Sequence, residues 1–235
     1  MKAILKASNN ILKTQGKIFQ VGEAKPPVLD LNPALLIGLA DNTPVSKLND
    51  GSQNGNHAYQ PTATAQPKFR TNVLNGLPAI EYDGVNDYLF TQQSVIPKTV
   101  FIVAKHRIAN SRATMLSSGN AGNTYFAGGN EDNKLFFDGA TNVFGGANTN
   151  LLWVNGGLIN PKSLALRNTV AFTVLSMDVS AFDSDVSWIG NTAFQYGQFN
   201  RSFDGLLARF IIFNYRMTDT DRKAKEVELK TVYAL

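Results

Sequence analysis

The sequence predicts an all-β sandwich or jelly roll closed by one C-terminal helix, and three observations carry that prediction. Short runs rich in Val, Ile, Phe, Tyr and Trp recur along the chain, as half-buried pleated strands require. Clusters of Gly, Asn, Asp and Ser such as "SSGNAGNTY", "AGGNEDN" and "FGGANTN" separate them. Amphipathic helices do not alternate with the strands, which excludes a parallel α/β sheet. At 235 residues with 43% apolar content, the chain suits one large domain, or one with an appendage, around an ample core.

The first element is an arm over residues 1–27, ending at Pro26-Pro27. Ile4, Leu5, Ile11, Leu12, Ile18 and Phe19 punctuate it, with Lys13 beside them, in an imperfect repeat of "AILKASN" and "NILKTQGKIF". Asn9-Asn10 and Gln15-Gly16 suit tight turns, so the arm reads as a small meander or an extended strand-forming segment. An isolated hairpin is marginal in water, so these apolar residues need a surface to lie on. That surface is either the chain's own sandwich or a neighbouring subunit.

The sandwich domain is assigned to residues 28–235. Its clearest strands are 34–39 (ALLIGL), 79–82, 87–90, 99–106 (TVFIVAKH), 134–139, 169–177, 185–190 and 205–216. Between the first two lies Leu48–Phe69, a polar stretch with the composition of a linker. The helix closes the chain. Thr218 caps it, and Asp219 and Asp221 in its first turn suit the macrodipole. Ala224, Val227, Thr231 and Ala234 recur on one face, which is expected to pack on the sandwich.

Composition narrows the function. There is no cysteine, hence neither a disulfide framework nor a thiolate metal site. The first 27 residues hold five lysines against one glutamate, so the whole net charge of +4 sits on the arm. The body is neutral, which argues against a nucleic-acid partner. Lysines interrupt the N-terminal apolar residues, so no secretory signal is read, and no run has the length of a membrane span.

Three segments then resemble the concanavalin-A-like lectin/glucanase superfamily, in its laminin-G-like jelly-roll branch found in bacterial surface and phage virion proteins. "VSKLNDGSQNGNHAYQPTATAQPKF" resembles the run V-x-x-W-x-D-x-S-G-N-G-N-H-A, "NGLPAIEYDGVNDYL" resembles N-G-x-P-x-[VI]-x-F-D-G-x-D-D-Y-L, and "FDGLLARFIIFNYR" with its helix resembles the closing strand F-D-G-x-I-A-E. Leu48, Gln53 and Arg209 stand where that pattern has Trp, Gly and Glu. The resemblance implies a concanavalin-A-like β-sandwich in which Leu48–Phe69 is an ordered crossing and His57 a structural residue. The superfamily often binds carbohydrate, sometimes with a structural calcium; no cofactor is required, and Asp83, Asp87 and Asp204 are the calcium-ligand candidates by resemblance alone. The turn-capping role that Asp-Gly fills without a metal stands beside that assignment.

Catalysis is not expected. Glucanases of this superfamily place an acid and a nucleophile on one strand as E-x-D-x-x-E, with carboxyls about 5 Å apart. No such motif, nucleophile elbow, P-loop or zinc signature occurs here. A saccharide would need an exposed aromatic beside amide or carboxylate groups, which points to Tyr125 and Trp153 with Glu131 and Asp132. The sequence reading is therefore a non-enzymatic virion surface protein, assembled in a host cytoplasm. Its partners are other virion proteins through the arm and host-surface glycan, within a homo-oligomer or larger assembly. A free adhesin or lectin at the bacterial cell surface and a glycoside hydrolase are the alternatives.

Overall fold

A computed structural model describes residues 11–14, 17–20, 25–107, 114–117, 125–127, 150–160, 171–181, 186–189 and 203–235. Two antiparallel sheets pack face to face, with a separate hairpin and one helix. The larger sheet runs in the order β14 (Gly157–Ile159), β13 (Leu151–Val154), β15 (Thr173–Asp178), β10 (Thr99–His106), β17 (Asp204–Phe213), β8 (Leu77–Asp83), β7 (Lys68–Leu74), β4 (Thr43–Pro44). β3 (Leu29–Leu31) also pairs with β17. The smaller sheet is β12 (Tyr125–Ala127), β11 (Thr114–Ser117), β16 (Val186–Ile189), β9 (Leu89–Val95), β6 (Ala58–Tyr59), β5 (Lys47–Leu48). In the arm, β1 (Ile11–Thr14) pairs with β2 (Lys17–Gln20).

The apolar runs of β10 and β17 have a common cause: the larger sheet is covered on both faces. Val100, Ile102, Phe210 and Ile212 join Leu48, Ala58, Leu89 and Ile189 of the smaller sheet in the inter-sheet core. The alternate residues Phe101, Val103, Ile211 and Phe213 point the other way, into a second core closed by Leu229 and Tyr233 of helix α1 (Asp219–Tyr233). A strand with one wet face alternates apolar and polar residues. These two do not, because neither face is wet.

Two expectations are corrected. Residues 34–39 form no strand. Asn32 accepts the Ala34 N–H at 3.0 Å and opens a 3-10 turn over Pro33–Leu35, and Pro33 brings no N–H to a ladder. Ile37 ends 92% exposed. The helix is capped as expected, with Thr218 Oγ1 accepting the Asp221 N–H at 3.1 Å, but its buried face is Arg222, Glu226, Leu229 and Tyr233. Ala224, Val227, Thr231 and Ala234 face outward. The cause is an Arg–Glu pair placed inward, which a reading by polarity assigns to solvent.

Leu48–Phe69 is ordered by side-chain-to-backbone bonds. The buried Asp50 carboxylate accepts the N–H groups of Asp30 (2.9 Å), Ser52 (2.9 Å) and Asn56 (3.1 Å), and its own N–H donates to His57 Nδ1 at 3.0 Å. Asn56 bonds both the carbonyl (2.8 Å) and the N–H (3.0 Å) of Gln93, a side-chain copy of strand pairing. Polar composition here satisfies a crossing backbone rather than a disordered one.

Candidate functional site

Two aromatic-Asp-Gly triplets meet at one end of the larger sheet. The antiparallel register of β8 and β17 sets Asp83 opposite Asp204 and Tyr82 opposite Gly205. The rings of Tyr82 and Phe203 lie 5.6 Å apart, and the Gly84 N–H donates to the Phe203 carbonyl. Such an approach leaves no room for side chains: a Cβ on Gly84, which also has φ +75°, would lie 2.7 Å from the Asp204 Cβ. Arg107 closes the corner. Its guanidinium holds Asp204 Oδ1 (2.9 Å), the Tyr82 carbonyl (2.9 Å) and Glu81.

The three candidate calcium ligands therefore stand close in the fold, each with at least one oxygen taken by an N–H donor. Asp83 Oδ1 accepts from Val85, Asn86 and Asp87, and Asp87 Oδ2 accepts the Asp83 N–H at 3.1 Å. This is Asp-Gly turn capping, with Arg107 as the counter-charge for Asp204. Among the described residues, no three His, Cys, Asp or Glu side chains converge as a metal-binding group.

The corner is electrostatically strained. Burial, followed by the charge of Asp83, raises the Asp87 carboxyl to about 6. Burial alone depresses His106, whose ring stands edge-on to Phe203 at 5.0 Å, to about 4. Burial, then the charge of Asp87, pushes the Tyr82 hydroxyl far up, and that hydroxyl has no hydrogen-bond partner among the described residues.

Folded Asp87 keeps a proton that the unfolded chain releases near 3.8, so its contribution is fully present below pH 3.8 and is lost as pH rises through 6. His106 acts oppositely, since the unfolded imidazole gains a proton near 6.5 that the folded one refuses down to about 4. Asp87→Asn is expected to exceed the parent in stability by roughly 1 to 3 kcal/mol at pH 7.5, with the gap closing below pH 4. The variant, left with the uncompensated His106 effect, loses stability more steeply between pH 6 and 4. Urea titrations at several pH values check this, and a gap independent of pH would refute it.

A second polar cluster lies under the helix. The Arg222 guanidinium carbon sits 3.7 Å from the centre of the Trp153 ring. The same guanidinium pairs with Glu226 and Asp219, and Ser176 donates its hydroxyl to Glu226. Arg222 and Glu226 side chains are each 4% exposed. Trp153 is half-buried with one face covered by protein, not the open platform its loop-rich surroundings suggest.

The remaining expected residues are dispersed. Tyr125 opens β12 in the smaller sheet, whereas Trp153 is in β13 of the larger one. Glu131, Asp132, Ile4 and Leu5 lie outside the described residues. Ile11, Leu12, Lys13, Ile18 and Phe19 fall in the hairpin, whose register sets Leu12 opposite Phe19. Sequence reasoning missed Arg107, Arg222 and Glu226, which organise both clusters. The i, i+4 spacing of Arg222 and Glu226 was the one local signal for them. Compared with known proteins, the chain matches no family model, no curated protein and no solved structure.

Proposed function

We propose that this chain is a non-enzymatic virion surface protein of concanavalin-A-like, jelly-roll type. Its arm docks on a neighbouring subunit, and its sandwich faces outward to decorate a particle or touch host glycan. The observation that carries this reading is the arm. The hairpin β1–β2 belongs to neither sheet of the sandwich, pairing with itself alone among the described residues. Two four-residue strands do not stabilise themselves in water, so their apolar residues call for a second surface. The charge of the arm and the neutrality of the body suit a docking segment joined to a display domain. The resemblance of the three sequence segments supports the virion setting, with assembly in the host cytoplasm.

The test is deletion of residues 1–27. The expected result is a soluble protein with the parent's melting temperature that no longer enters assembled particles. Unchanged incorporation would sink the docking role. A glycan screen of the same protein, with calcium and then with chelator, separates bare decoration from host attachment.

A further inference from the structure

The sequence holds three Asn-Gly pairs, Asn54-Gly55, Asn75-Gly76 and Asn155-Gly156. A glycine after asparagine leaves its amide nitrogen unshielded by a Cβ, so that nitrogen can attack the asparagine side chain. We propose that Asn54 is a site of spontaneous deamidation, the one pair of the three that the fold leaves able to react, and that the change unties the root of the arm from the crossing at Leu48–Phe69. The Gly55 nitrogen bonds to the Asn54 side-chain carbonyl carbon, and the Cγ–Nδ2 bond breaks. Ammonia leaves with the proton given up by the Gly55 N–H. Water then opens the cyclic imide at either carbonyl, which yields aspartate or isoaspartate. One water enters, one ammonia departs, and no oxidant or further reactant is needed.

Two of the pairs are held shut by their turns. Asn75 (φ 51°) with Gly76 (φ 84°), and Asn155 (φ 51°) with Gly156 (φ 91°), have the positive φ at both central residues that a two-residue type I′ turn requires. Leu74 pairs with Leu77, and Val154 with Gly157, directly across them. Ring closure needs the Asn Cα–C bond to rotate until the next nitrogen faces Cγ. In such a turn that rotation breaks the flanking pairs. Each side chain is tied as well. Asn75 Nδ2 donates to the Tyr233 carbonyl and, at 3.4 Å, to that of Ala234, and Asn155 Oδ1 accepts the Val174 N–H at 3.0 Å. The Asn155 N–H returns to the Val174 carbonyl at 2.9 Å.

Asn54 is exposed and lies outside the strands. A Cβ on Gly55, at φ +71°, would meet nothing within 4 Å, and the Gly55 N–H has no acceptor among the described residues. The Asn54 side chain is held only at the surface, Nδ2 donating to Ser52 Oγ at 2.9 Å, the Val28 carbonyl at 3.2 Å and the Pro27 carbonyl at 3.3 Å. These bonds release by side-chain rotation, with no ladder to open. They also give the reaction its consequence. Pro27 and Val28 lie at the root of the arm, where the Val28 N–H donates to the Ile212 carbonyl at 2.8 Å. A carboxylate in place of the amide has no hydrogen to donate and turns negative oxygens toward two carbonyls. Isoaspartate also lengthens the backbone by a methylene just before Asn56, whose side chain bonds Gln93 at 2.8 and 3.0 Å.

The test is peptide mapping by mass spectrometry of the full-length protein aged in mildly alkaline buffer, folded and in urea. In the folded protein Asn54 is expected to show the amide-to-acid mass change at least about tenfold faster than Asn75 or Asn155, which must first open locally. In urea the three are expected to converge, because each then stands in the same Asn-Gly context of an open chain. An unreacted Asn54, or Asn75 or Asn155 keeping pace with it in the folded state, would overturn the site. Full-length Asn54→Asp reads the consequence by hydrogen exchange. Its Val28 amide is expected to exchange about threefold to tenfold faster than the parent's, with the amides of β10 unchanged. Val28 exchange at the parental rate, or equal acceleration in β10, would overturn the untied root.

Discussion

Gly205→Ala is expected to destabilise the protein by about 3 to 5 kcal/mol, the larger end of what one added methyl does. The new Cβ would stand 2.3 Å from the Lys105 carbonyl oxygen and 2.6 Å from the Phe203 ring. The carbonyl cannot give way cheaply, because Lys105 and His106 pair with Leu206 and Gly205 in the ladder between β10 and β17. The ring is equally confined, since Phe203 is 1% exposed and packs on Tyr82 and His106. The urea midpoint of the purified variant measures the effect. Stability within 1 kcal/mol of the parent would mean that the corner yields where packing says it cannot.

Removing half of the buried ion pair is the second large effect. Arg222→Ala leaves Glu226 inward-facing and charged, with Ser176 as its one remaining polar partner among the contacts described, and is expected to cost about 3 to 5 kcal/mol. Replacing the whole pair by Arg222→Met with Glu226→Leu removes both charges, and that double variant should recover most of the loss. Recovery identifies the single-variant cost as that of an orphaned charge. A double variant as unstable as Arg222→Ala would instead assign the cost to the stacking of Arg222 on Trp153, which both variants lose.

These residues show where the sequence was legible. β10 occupies Thr99–His106 as expected, because an uninterrupted β-branched and aromatic run flanked by Pro97 and Arg107 has few other conformations open to it. Thr218 as N-cap was equally readable, since capping is local. The run 34–39 has the same apolar character but follows a proline and contains Gly38 at φ +81°, and these local constraints overrode composition. The buried face of α1 was hidden because a neutralised Arg–Glu pair is indistinguishable in sequence from a solvated one. At the aromatic-Asp-Gly corner the motif was visible and its use was not. The contact of Arg107 with Asp204 spans 97 positions, and no local pattern encodes it.

β17 also sets the timetable on which the molecule can be made. Three strands, β10, β8 and β3, lean on it, and its own residues begin only at Asp204. A chain emerging from the ribosome presents β3 and β8 about 120 residues or more before the partner that completes them is synthesised. During that interval their unpaired edges are open to wrong partners, as contacts of high sequence separation require. Productive folding of the larger sheet is therefore expected to wait on the synthesis of Asp204–Phe213, with nascent chains that lack this strand depending on holdase chaperones to stay unaggregated.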